Sequence, residues 1–385
     1  MASSTGLPPQ AFVRRDAVPA APPPALVGGP LAWIRRNLFS SLGNACLTVA
    51  AAALLALLLP PMLRFLVFDA VWTGENRDAC RPEVLGHPVG ACWAFVASKI
   101  NYFVYGSYPI EARWRADLFF ALLAFGIGWL LWLDAPRRDL GAAYFFVVFP
   151  LAAYALLSGV PALGLGYVPT SLWGGMLVTI VVALVGIVVS LPFGVLLALG
   201  RRSRLPVVRL VCVIFIEFWR GVPLITVLFM ANVMLPLFLP GDVTVDRLVR
   251  PLVGIALFTS AYMAEIVRGG LQAMPRGQFE GAMSLGLGPW LTMRLVILPQ
   301  ALRIVIPGIV NSYIALFKDT TLVSIVGIFD FIRTIESARV DPNWAAPTVS
   351  VTGYAFAALF YFVFCFGMSR YSRFVERRLS ASSAR

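Results

Sequence analysis

The sequence predicts an all-α integral membrane protein with about eight transmembrane helices. Three observations carry that expectation. Of 385 residues, 59% are hydrophobic and 13% charged, with a mean hydropathy of +0.82, whereas soluble domains hold about 25% charged residues. Eight apolar runs approach or exceed the roughly 20 helical residues that cross about 30 Å of hydrocarbon. Arginines collect in every second connection between those runs.

In chain order, residues 1–43 read as a disordered cytoplasmic tail, because "AVPAAPPPALVGGP" is too rich in Pro and Ala for a packed core. It does not read as a cleavable signal peptide, since the first long apolar run begins only near Ala45. The spans are 45–68, 117–133, 141–159, 174–199, 207–239, 251–271, 297–328 and 349–369. The fifth and seventh exceed one crossing, so each has room for a broken helix or a surface segment.

Orientation follows from charge. The formal net charge is +12, and 29 of the 31 basic residues are Arg. Arg14, Arg15, Arg35 and Arg36 precede the first span, and Arg137 and Arg138 separate the second from the third. Arg201, Arg202, Arg204 and Arg209 follow the fourth. Arg268, Arg276, Arg294 and Arg303 mark the six–seven connection, and Arg370, Arg373, Arg377 and Arg378 close the chain. All of these fall on one side, which the positive-inside rule makes cytoplasmic. Both termini are then inside. Arginines flanking apolar spans serve orientation, and no nucleic-acid reading is warranted.

The opposite connections are 69–116, 160–173, 240–250 and 329–348. The first holds Trp72, Trp93, Tyr102, Tyr105, Tyr108 and Trp114, rings suited to a bilayer interface or to packing inside a small folded loop. It also holds Cys80 and Cys92, which either stand as unrelated thiols or bridge if the loop faces an oxidising compartment. Cys46, Cys212 and Cys365 lie inside spans and act as small hydrophobes. No metal-ligand pattern appears, and the lone histidine, His87, sits in a loop.

The stretch "QFEGAMSLGLGPWLTMRLVILPQ" (278–300) interrupts the apolar chain on the arginine-rich side. Pro275 can open a short helix in which Phe279, Ala282, Met283 and Gly286 share one small-to-apolar face. Gly286 and Gly288 permit a tight bend, Pro289 suits the first turn of a second helix, and Pro299 can break or kink the chain before it re-enters the membrane. A stiff L-shaped pair of helices outside the bilayer should result. That shape suits docking into a cleft on another protein better than lying flat on lipid.

On these residues the chain resembles a known family. Glu280-Gly281-Ala282, three residues, Gly286, nine residues, then Val296-Ile297-Leu298-Pro299 is similar to the EAA loop of type-1 ABC importer membrane subunits. Gly281 stands where the family usually has Ala, and Val296 where it has Ile. "IEFWRGVPLI" (216–225) and "LFKDTTLVSIVGIFD" (316–330) resemble segments of the polar amino-acid (histidine/glutamine-type) permeases. The likeness spans 170–372, implying a five-helix permease core with a cytoplasmic tail at 373–385. Residues 44–169 resemble the three-helix N-terminal extension, with its periplasmic loop, of the larger permease subunit in general L-amino-acid uptake systems.

The resemblance implies an inner-membrane permease subunit of an ATP-driven, binding-protein-dependent importer of L-amino acids. Its partners would be an ABC ATPase dimer, a second homologous permease and a periplasmic amino-acid-binding protein, all in a lipid membrane. No cofactor is expected on this chain. Neither lysine, Lys99 or Lys318, follows a glycine, so a P-loop is excluded and ATP must be used by a partner. Phe279, Glu280, Gly281, Ala282, Gly286, Pro289, Leu298 and Pro299 would form the ATPase-coupling loop, with Glu280 capping it or standing as a solvated charge.

Ionisable groups inside a membrane are expensive and point to function. Glu217 and Arg220 lie three apart, before Gly221 and Pro223 break the helix. They form an internal ion pair, or they line a passage in which Arg220 meets a carboxylate and Glu217 or Asp319 an ammonium group. Lys318, Asp319 and Thr320 complete that candidate pathway, although the hydroxyls of Thr320, Thr321 and Ser324 can instead back-bond to their own helix. Rival classes are an ion-coupled secondary transporter, which often shows matched broken repeats, and a membrane enzyme, which would need clustered His, Asp or Cys. Neither pattern is visible, and ATP dependence in vesicles separates the alternatives.

Overall fold

The computed structural model describes residues 29–132, 134–240 and 244–383. The chain divides into two compact units, Met1–Phe68 and Asp69–Arg385. In the first, α1 (Gly29–Asn37) ends on Arg35 and Arg36, cations that suit the negative end of a helix dipole. The segment expected to be disordered over 1–43 is therefore helical at 29–37, and its residues 1–28 lie outside the described residues. The next helix, α2 (Leu42–Leu63), begins where Ser41 Oγ accepts the Asn44 N–H at 3.2 Å. It buries no side chain and is apolar on all sides, as a lipid-facing helix must be.

The second unit opens with α3 (Trp93–Tyr105), α4 (Arg113–Leu131) and α5 (Arg138–Ser158). Then come α6 (Gly175–Arg201), α7 (Pro206–Gly221), α8 (Leu224–Phe238) and α9 (Val249–Gln272). Last are α10 (Arg276–Ser284), α11 (Pro289–Val326), α12 (Phe331–Ala338) and α13 (Pro347–Ser383). Among the described residues seven helices are long and apolar enough to cross a membrane, and the bent α7–α8 pair brings the number to eight.

The centre of this unit is α6, packed along α9. Cβ atoms added at Gly194 of α6 and Gly270 of α9 would meet Met263 Cβ at 2.7 Å and the Ala301 carbonyl at 2.6 Å. Small residues here let α6, α9 and α11 approach within side-chain-free distance, the usual means of joining helices where lipid removes the hydrophobic drive. On its other flank α6 takes α4 and α5, through stacked Phe119 and Phe149 with buried Leu157 and Leu177.

Long-range contacts sort the connections onto two ends. At one end Arg378 of α13 donates twice to Asp134, Arg202 reaches the Leu271 carbonyl, and Gln300 meets Gln278. At the other, Lys99 pairs with Asp341, Thr170 with Asp246, and Gly175 N–H with the Phe329 carbonyl. The arginine-rich connections of this unit thus share one end, as their charge required.

Two long spans resolve differently. The 207–239 run is broken: α7 and α8 meet at 103°. Pro223 forces its predecessor out of the helical region, and Val222 is extended at φ −107° and ψ 133°. By contrast, Pro299, which could break or kink the chain, does not break it. Residues 289–326 form one continuous span, with a widened turn at Thr292–Ile297 just before the proline. That turn moves aside the carbonyl which the proline ring would strike in a regular helix. The second arm of the L is therefore the first part of a membrane helix.

Candidate functional site

The 275–299 segment forms an elbow at the arginine-rich end. Pro275 precedes α10 in extended conformation, and the helix closes when the Gly286 N–H meets the Met283 carbonyl at 2.9 Å. Gly286 has φ +77°, a left-handed value that favours glycine. Beyond it, Pro289 opens α11, and the Thr292 hydroxyl ties back to the Leu287 carbonyl at 3.2 Å. The turn is thus fixed by glycine, proline and local hydrogen bonds.

The elbow has two faces, and the single apolar face expected from spacing divides between them. Ala282 is buried and Phe279 half-buried, the latter packed on a cluster of Leu197, Ile216, Met263, Val267, Ile297 and Leu298. Met283 and Gly286 instead face outward with Glu280 and Gly281. Leu285 is 80% exposed and Trp290 67% exposed. Pro289 and Pro299 are also exposed. Met283, Leu285 and Trp290 thus form an exposed apolar rim on a well-anchored turn.

The candidate charges divide into two places. Glu217 and Arg220 do not pair with each other in a closed ion pair but join a network around Glu265 of α9. Arg201 at the end of α6 contacts Glu217 at 2.9 Å and Glu265 at 2.8 Å. Arg268 holds Glu265 at 2.6 Å, and Arg220 lies 3.6 Å from it. Glu265 is 14% exposed against 56% for Glu217, and three arginines converge on it, so the less exposed carboxylate is the hub. Sequence reading missed it. The available signal was an acid inside an apolar span with Arg268 one turn on.

The second place is a cavity of about 230 Å³. It is lined by Asp319 and Ser312 of α11, Thr259 and Tyr262 of α9, and Leu224 of α8, the first residue past the bend. Asp319 belongs to it; its neighbours do not. Lys318 is exposed on another face of the helix. Thr320 is wholly buried and donates to the Phe317 carbonyl at 2.8 Å, and Thr321 bonds the Lys318 carbonyl at 2.9 Å. For these hydroxyls the back-bonded alternative is the one realised. The Arg220 guanidinium lies 5.6 Å from the centroid of the Tyr262 ring, so it touches both the network and the cavity wall.

At the opposite end the 69–112 connection is a folded layer. A disulfide joins Cys80 to Cys92, both wholly buried. They pack with Phe95 and Phe103 against Phe331, Ile335 and Trp344. The Cys92 N–H donates to Thr352 Oγ1 at 2.9 Å. Of the two roles open to these rings, packing is the one Tyr108 takes, buried with its hydroxyl on the Leu157 carbonyl at 2.8 Å, while Trp72 stacks on Trp93 and stays exposed.

Residues 190–381 match the family described as "Binding-protein-dependent transport system inner membrane component". The chain is 50% identical to the inner membrane amino-acid ABC transporter permease protein YhdY of Escherichia coli strain K12, over 91% of this chain and 93% of that one. It is 37% identical to the glutamate/glutamine/aspartate/asparagine transport system permease protein BztC of Rhodobacter capsulatus, over 96% of this chain and 98% of that one. A crystal structure of an amino acid ABC transporter with histidines aligns at 30% identity and a TM-score of 0.47, covering 53% of this chain and 92% of that chain.

Proposed function

The chain belongs to the binding-protein-dependent transport system inner membrane components, and on that premise we propose that it carries L-amino acids inward as the permease subunit of an ABC importer. The observation that supports this reading best is the elbow. It places an apolar rim of Met283, Leu285 and Trp290 at the end that also gathers Arg202, Arg276 and Arg378. Such an end is cytoplasmic by the positive-inside rule, with both termini inside.

In this reading α10 and the start of α11 insert into a cleft of an ATP-hydrolysing partner. Motion of that partner enters the membrane along α9 and α11, the two helices the elbow joins. Residues 170–372 form the permease core, and 44–169 an extension whose outer loop is clamped to it by the disulfide layer. A second permease and an extracytoplasmic amino-acid-binding protein complete the importer. Asp319 in its cavity meets the ammonium group of a passing amino acid. Names of relatives supply the amino-acid class.

Co-purification from the native membrane followed by reconstitution tests the proposal. ATP-driven uptake of amino acids into vesicles, dependent on the co-purified ATPase, is the expected result. Uptake driven by an ion gradient with this chain alone would overturn it.

A further inference from the structure

We infer that Glu265 and Arg220 form an ionic gate that seals the elbow side of the Asp319 cavity and opens when the elbow moves. The inference rests on the transport reading above and adds the place and chemistry of closure.

Position carries the first part. On α9 the residues Phe258 and Tyr262 line the cavity, and Glu265 follows them on the same helical face, one turn nearer the elbow. On the other wall Leu224 lines the cavity just past the 103° bend, and Arg220 stands just before it. The pair therefore links the two walls one turn beyond the cavity on its elbow side. A solute leaving toward the arginine-rich end would meet it first.

Strength carries the second part. Glu265 takes close contacts from Arg201 and Arg268, at 2.8 and 2.6 Å, whereas Arg220 stands off at 3.6 Å. The hub is thus held by two firm partners and closed by a loose third. A largely covered carboxylate that keeps two close arginines stays satisfied when the loose contact parts, so opening leaves Glu265 paired. Arg220 in turn keeps the Tyr262 ring as a cation–π partner.

Mechanical connection carries the third part. Phe279 of the elbow packs in the same cluster as Ile216 of α7 and Met263 and Val267 of α9. Those residues flank Glu217 and Glu265 in sequence. Displacement of the elbow therefore reaches the two helices that bear the gate through packed side chains, whose interiors transmit strain because they are dense.

The test uses the reconstituted importer with its ATPase, second permease and binding protein. Vesicles preloaded with labelled amino acid are followed for efflux without ATP, alongside ATP hydrolysis with and without binding protein. Glu265→Gln should raise passive efflux several-fold and make hydrolysis less dependent on loaded binding protein, while Glu265→Asp stays near wild type. Arg220→Gln should raise efflux too, and the double variant should leak no more than the worse single one. A Glu265→Gln importer as tight and as coupled as wild type would overturn the gate, as would additive leaks. If Glu265→Gln fails to reach the membrane, Arg220→Gln, which removes the charge facing Glu265, serves in its place: wild-type tightness together with unchanged coupling would overturn the gate. Absence of ATP-driven uptake by the wild-type complex would instead overturn the transport reading itself.

Discussion

The Lys99 ammonium lies 2.5 Å from the Asp341 carboxylate, across 242 positions of sequence. With the Arg77 N–H on the Asn343 carbonyl, this contact clamps the folded 69–112 layer to the connection before α13. Lys99 holds the Asp341 carboxyl below its ordinary value through a hydrogen bond. That contribution is present at neutral pH and is lost as pH falls through the lowered value. Both side chains are about one-quarter exposed, so the pair is worth on the order of 1 kcal/mol or less.

The disulfide should matter more than this ion pair. It closes a loop with a sequence separation of 12, for which chain entropy gives about 2–3 kcal/mol. Replacing Cys80 and Cys92 with Ala should lower the melting temperature of the solubilised protein more than Lys99→Met does. Equal melting curves for the two variants would contradict the staple.

Asp330 should make stability fall as pH rises. It is wholly buried and caps α12, accepting N–H bonds from Arg333 at 3.0 Å and Ile332 at 3.3 Å. Burial, with Glu336 nearby, raises its carboxyl to about 7 from an ordinary 3.8, while the capping N–H groups pull the other way. The Tyr361 ring faces it from α13. Because the folded value is raised, the stabilising contribution is full below pH 3.8 and is lost as pH climbs toward 7. Asp330→Asn keeps a capping side chain, so its melting temperature relative to wild type should rise across that window. A difference that stays flat with pH would refute the assignment.

Gly286 should be sensitive to backbone strain at the turn itself and to bulk on its outward face. Nothing lies within 4 Å of a Cβ placed there, but its φ is +77°. Gly286→Val should cost about 1–2 kcal/mol at the turn and cut ATP-driven uptake while membrane insertion persists. Gly286→Asn, which accepts left-handed backbone more readily, should retain most activity. Gly286→Trp, with bulk added to the proposed docking face, should abolish coupling, and normal transport by that variant would remove the coupling role.

Asp319→Ala should discriminate among substrates. Loss of a charge-assisted contact to a second cationic group is worth about 2 kcal/mol, roughly thirtyfold in apparent affinity. Uptake of cationic amino acids should therefore suffer more than that of acidic ones. Equal loss for every substrate would remove the reading of a side-chain cation and leave the shared α-ammonium group or a structural role.

Hydropathy and arginine placement were enough to locate the eight crossings and to put the basic connections of the second unit at one end, because membrane insertion is governed by local composition. The elbow was legible for a similar reason: Pro275, Gly286 and Pro289 restrict backbone angles within a few residues of themselves. What local chemistry leaves open is the partner. Adjacent helical residues point about 100° apart, and so Asp319 lines a cavity while Lys318 is exposed and Thr320 is buried. Likewise Pro299 could stop a helix or ride on a widened turn, and only the packing of the 289–326 span decided between them. Glu265 became the centre of a charge network because the ends of α6, α7 and α9 converge, a fact set by tertiary contact and absent from any one segment of the chain.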